Sequence, residues 1–183
     1  MQTFESNSED LYPSNEVSFE KIALNLFHQQ SETNPVYKSY LTALGVQTAS
    51  IDRIEDIPFL PVTFFKTQEV KTGNWQPESV FTSTGTTSRE VSRHFIPSLA
   101  YYLRHSQRIF EETFGPLTDW HVLCLLPAYL ERTGSSLVKM ADHFIKESKS
   151  PFSGFYLNNL DRLMSQLEDL RGKGKNKEIF KQR

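Results

Sequence analysis

The chain has 183 residues, 20 Lys and Arg against 22 Asp and Glu, and a formal charge of −2, so it lacks the clustered basic excess that neutralises nucleic-acid phosphates. Its 14 Phe, 7 Tyr and 2 Trp supply bulky apolar area that a disordered chain lacks, and its length suits one domain or part of a larger one. No apolar run approaches the roughly 20 residues that span a bilayer, and the acidic, polar start MQTFESNSED is not a secretion signal. Cys124 is the single cysteine, which excludes an intramolecular disulfide and a cysteine-cluster metal site, and the five histidines show no metal-ligand spacing. A soluble protein of the reducing cytoplasm is expected, with no protein-bound metal, no nucleic-acid partner and no membrane span.

Residues 1–17, with Pro13, Asn15 and several serines, predict a loose N-terminal arm. From Ser18, a plausible N-cap, the spacing of Phe19, Ile22, Ala23, Leu26 and Phe27 predicts an amphipathic helix. Asn34 and Pro35 then read as cap and first residue of a second helix, which carries Val36, Tyr40, Leu41 and Leu44 and is closed by Gly45. The segment IPFLPVTFFKTQEV, 57–70, has two prolines that forbid a regular helix; it is expected to run extended and lay Phe59, Leu60, Phe64 and Phe65 on the core.

A short strand at Val80 and Phe81 leads into the loop that follows, and a second strand is expected from Val91 to Ile96. Pro97 and Ser98 open a helix bearing Leu99, Leu103, Ile109 and Phe110, stopped by Gly115 and Pro116. WHVLCLL, 120–126, is short and apolar throughout, as in a strand buried on both faces. Ser135 and Ser136 cap a helix with Leu137, Met140, Phe144 and Ile145, and a strand at Gly154 to Leu157 precedes a last helix over Leu160, Leu163, Met164, Leu167 and Leu170. Alternating strands and helices define the α/β class, here a helical lead-in followed by a mixed sheet covered by helices. The basic run RGKGKNKEIFKQR follows directly on that helix, so the 18–183 domain reads as cut short at its C-terminus.

The stretch FTSTGTTSRE carries six hydroxyl side chains between Phe81 and Ser88, around Gly85. Such a loop after a strand presents N–H groups and hydroxyls that can wrap phosphate oxygens, although a solvated turn has the same composition. It is not the P-loop of nucleoside triphosphatases, because no Gly-Lys pair closes it.

Ser83-Thr84-Gly85-Thr86-Thr87-Ser88 resembles the phosphate loop of adenylate-forming enzymes, usually Ser-Ser-Gly-Thr-Thr-Gly followed by Pro and Lys. Upstream, Ile57-Pro58-Phe59-Leu60-Pro61 with Phe65-Lys66 looks like the approach segment of their LuxE-type acyl-protein synthetase branch, known from bacterial luminescence and related to phenylacetate-CoA ligases. Downstream, Leu125-Leu126-Pro127 with Tyr129, then Arg132-Thr133-Gly134-Ser135-Ser136-Leu137, is similar to that family's next block. The resemblance covers about Phe19 to Leu170, the N-terminal half of a typical member.

The resemblance implies a partial adenylate-forming domain. The full-length enzyme is an acid–thiol ligase: ATP and a carboxylic, possibly fatty, acid give acyl-AMP and pyrophosphate, and the acyl group passes to a protein cysteine that serves an acyl-reductase partner. It also implies that Ser83, Thr84, Gly85, Thr86, Thr87 and Ser88 cradle the ATP phosphates with Mg²⁺ nearby, and that Tyr129 lines the substrate. Ser88 stands where the family has glycine and the Pro-Lys pair is absent, which leaves Arg89 and Arg93 as the nearest cations, either able to pair with phosphate. The family's adenine-stacking motif, ribose-holding acid, C-terminal lysine domain and acceptor cysteine would all lie beyond Arg183, so this chain alone is expected to be inactive, and no catalytic acid, base or nucleophile is assigned. Two alternatives stay open: a fragment of an aryl-CoA ligase, in which coenzyme A is the acceptor, and a non-catalytic binding remnant.

Single residues have plainer readings. Cys124 and His121, inside the apolar run, read as core side chains. His94, six residues past Ser88, reads as strand-lining, Lys66 as solvated or part of an anion site, and Phe110, Phe114 and Trp120 as core.

Overall fold

The first corner of the chain follows from two adjacent residues. Asn34 sits in extended backbone at the N-cap, its Oδ1 accepts the Tyr37 N–H at 3.1 Å, and Pro35 occupies the first helical position, where no N–H is needed. In the computed structural model, which describes residues 16–83, 91–126 and 134–172, this cap separates α1 (Glu16–Thr33) from α2 (Pro35–Ala43). The helix starts at Glu16, so Ser18 lies inside α1 instead of capping it. Residues 1–15 of the expected arm, and the basic run after Gly172, lie outside the described residues.

Gly45 ends α2 as its position predicts. It takes φ +69°, the Gly45 N–H reaches Thr42 O, and the Val46 N–H reaches back to Leu41 O at 3.1 Å, the paired bonds of a Schellman motif. Val46 then packs near Leu41 on a cluster built from Phe27, Tyr37 and Leu41. Full burial of a side chain such as Leu41, 2 % exposed, contributes about 2 kcal/mol.

The chain divides into two compact units, Met1–Pro97 and Ser98–Arg183. In the first, the proline-punctuated segment stays clear of regular helix up to Pro61, as expected. Beyond it the short helix α3 (Phe64–Thr67) forms, because no proline obstructs its donors and Pro61 O accepts the Phe64 N–H. This turn separates the aromatic residues. Phe64 meets Tyr40 edge-on and Phe65 stacks on His94, whereas Phe59, expected in the core, is 75 % exposed. Strands β1 (Ser79–Thr82) and β2 (Arg93–Ile96) pair antiparallel, with Ser79 opposite Ile96 and Thr82 opposite Arg93.

The second unit opens with α4 (Leu99–Phe114), whose N-cap Ser98 accepts the Tyr101 N–H at 3.2 Å. Gly115 stops it at φ +83°, ψ 179°, a conformation that side chains with a Cβ avoid. Strand β3 (Leu123–Cys124) is shorter than the apolar run suggests, yet His121 to Cys124 are all buried. Ser135 caps α5 (Ser136–Glu147), and the chain returns in β4 (Gly154–Phe155) parallel to β3 before α6 (Leu160–Gly172). Leu117, Val122, Cys124, Ala141 and Phe144 form the core of this βαβ unit, with Phe110 and Trp120 packed against it. Phe114 is exposed, its ring resting on those of Phe110 and Trp120.

The α/β class therefore holds, but the described strands do not join in one mixed sheet. They form two separate two-stranded sheets, one antiparallel and one parallel. The hairpin satisfies its ladder locally, whereas the parallel pair needs the α5 crossover, and each pairing stays within its own unit.

Candidate functional site

The hydroxyl-rich stretch begins where β1 ends, and the hairpin register determines what stands at its foot. Ser83 continues the register opposite Ser92: the Ser83 N–H donates to Ser92 O at 3.0 Å, and the Ser92 N–H donates to Ser83 Oγ at 3.0 Å. The two ends of the loop are thus clamped by one backbone and one side-chain bond. Ser83 Oγ acts as the acceptor in this clamp, and a hydroxyl can also donate one proton. Thr84, Gly85, Thr86, Thr87, Ser88 and Arg89 lie outside the described residues, as does Tyr129.

Alternation along the hairpin sorts the neighbours. Phe81 faces His94 across the ladder and Thr82 faces Arg93, so Ser83, Ser92 and His94 share one face while Arg93 and Phe95 share the other. His94 is held by Phe65, the rings stacked at 4.8 Å between centroids and 23° between planes, and Arg93 lies over the Phe95 ring at 5.7 Å. The pairing therefore puts His94 on the loop-foot face and Arg93 on the opposite one, a distinction that sequence spacing alone could not make. Lys66 is exposed on α3, next in sequence to the Phe65 that carries His94. Among the described residues no carboxylate forms an ion pair with Lys66 or Arg93.

A groove of about 510 Å³ opens in the same unit, lined by α1, the segment around Ile57 and α3, with Phe19, Leu26 and Phe59 exposed along it. Several polar groups on its lining have partners: Asn34 Oδ1 caps α2, its Nδ2 donates to Thr72 Oγ1 at 3.4 Å, and Tyr37 OH donates to Pro58 O at 2.7 Å, while Gln30 also lies on the lining. Burial holds the Tyr37 phenol above its ordinary range, with Tyr40 adding to the effect. The groove offers apolar contact and no acid or base.

In the second unit the thiol and imidazole of the apolar strand are structural. Cys124 is 5 % exposed, and burial pushes its thiol up to about 11, which suppresses the thiolate a nucleophile needs. His121 is buried with Nδ1 2.6 Å from Ser150 Oγ, and that oxygen also accepts the Phe152 N–H at 3.2 Å. Ser148 and Ser153 complete the arrangement: their hydroxyls are 2.7 Å apart, and Ser153 Oγ accepts the Val122 N–H at 2.9 Å. This serine set was missed in the sequence, although the spacing of Ser148, Ser150 and Ser153 after a helix is a turn signal. It joins the α5–β4 connection to the amino end of β3, whereas ligands of parallel sheets gather outside the carboxyl ends. The His121–Ser150 pair is accordingly a clamp and not a nucleophile with its base.

Among the described residues there is no cluster of three or more His, Cys, Asp or Glu side chains that could hold a metal ion, and no helix long and apolar enough to cross a membrane. The chain matches no protein-family model, no curated protein and no solved structure in the comparisons made.

Proposed function

We propose that the chain is the N-terminal part of an ATP-dependent, LuxE-type acyl-protein synthetase of the adenylate-forming class, working in the cytoplasm, and that the stretch from Ser83 to Ser88 with Arg89 holds the ATP phosphates. The observation that carries the reading is the foot of the loop: a strand runs into the motif Ser-Thr-Gly-Thr-Thr-Ser, and the ends of the loop are clamped by the paired Ser83 and Ser92, whose register puts the Ser83 hydroxyl at the start of that motif. The donors fit an anion: hydroxyls, backbone N–H groups and Arg89, with Mg²⁺ arriving on the nucleotide and neutralising phosphate charge. Such a loop positions and shields charge and moves no proton.

The groove beside α1 supports the second half of the reading, because a mainly apolar wall that bears no charged side chain suits the alkyl part of a carboxylic acid. In this reading Tyr129 lies along the acyl group, and the acceptor is a protein thiol that this chain does not supply, since Cys124 is buried and held protonated.

Titration calorimetry of the 183-residue protein with Mg-ATP tests the proposal. Saturable binding is expected, weakened about tenfold or more, roughly 1.4 kcal/mol, in the double variant Thr86→Ala, Thr87→Ala with its circular dichroism unchanged. A folded protein that takes up neither ATP nor a non-hydrolysable acyl-adenylate analogue overturns it.

A further inference from the structure

We draw no further inference here: the strongest candidate, the apolar groove between α1 and the segment around Ile57, already serves the proposed function, and nothing in the structure shows what else would cover it.

Discussion

Cys124 shows how a single side chain ties burial to chemistry. Its thiol is held up to about 11, against an ordinary 9, by the apolar surroundings of β3. The raised folded value means that the stabilisation is complete below about pH 9 and is lost as pH climbs toward 11, because the unfolded chain releases the proton first. The loss is about 1.4 kcal/mol per pH unit across that window. Urea titrations at stepped alkaline pH should show this decline in the wild type and a shallower one in Cys124→Ala. The same thiol should resist a disulfide-exchange reagent near pH 8 until the protein is unfolded, and rapid labelling of the native chain would contradict the burial argument. Asn34 gives a second test at this scale. Asn34→Ala removes the acceptor for the Tyr37 N–H and should lower the unfolding free energy by about 1–2 kcal/mol, while Asn34→Ser recovers part of it; equal stability of the two variants would remove the cap from the account.

Among the elements, the sequence was most legible where backbone chemistry is local. Asn34–Pro35, Gly45, Ser98, Gly115 and Ser135 each mark a helix end that the structure keeps, because cap geometry depends on a few neighbouring residues. Gly115 permits a sharp test. A Cβ there would meet no atom within 4 Å, so any cost of Gly115→Ala is backbone strain and not a clash. A loss of about 1–3 kcal/mol is expected on thermal unfolding, against a smaller loss for Gly45→Asn, where the left-handed conformation tolerates asparagine. The reverse order would refute the strain argument. Less was legible where packing decides. Phe59 carries the same apolar signal as Leu60, yet one is exposed and the other packs on the core, because adjacent side chains of a non-helical, extended segment point to opposite faces. Phe19 and Leu26 fit a helical stripe that reads as core, but they stand on a groove. Of the candidate site, the loop's start and its return strand were readable from the hydroxyl run and its flanks. The faces of His94 and Arg93 depend on register, which pairing fixes and composition does not.

For the molecule as a whole, alternation of elements gave the α/β class but not the division of the strands. A pattern of short strands states that pairing occurs and leaves the partners open, so one mixed sheet and two separate pairs read alike. The two apolar clusters, one around Leu41 and the other around Leu117 and Cys124, each draw on a single stretch of chain. Each unit therefore carries its own source of burial energy. Residues 98–183 expressed alone should give a helical circular dichroism spectrum and keep Cys124 protected from modification. A disordered fragment with a reactive thiol would show that the second cluster does not suffice.

The two strand pairs also differ in when they can form. In the hairpin, Thr82 and Arg93 meet across a short loop; in the parallel pair, Cys124 must wait for Phe155, with the whole of α5 between them. Closing the longer connection costs about 1 kcal/mol more chain entropy before any ladder bond offsets it. On a growing chain, β3 would stay unpaired through the synthesis of the next thirty or so residues, with its apolar run uncovered. The serines that tie His121 and Val122 to the turn after α5 emerge just ahead of β4, so they can latch the amino end of β3 before its last partner arrives.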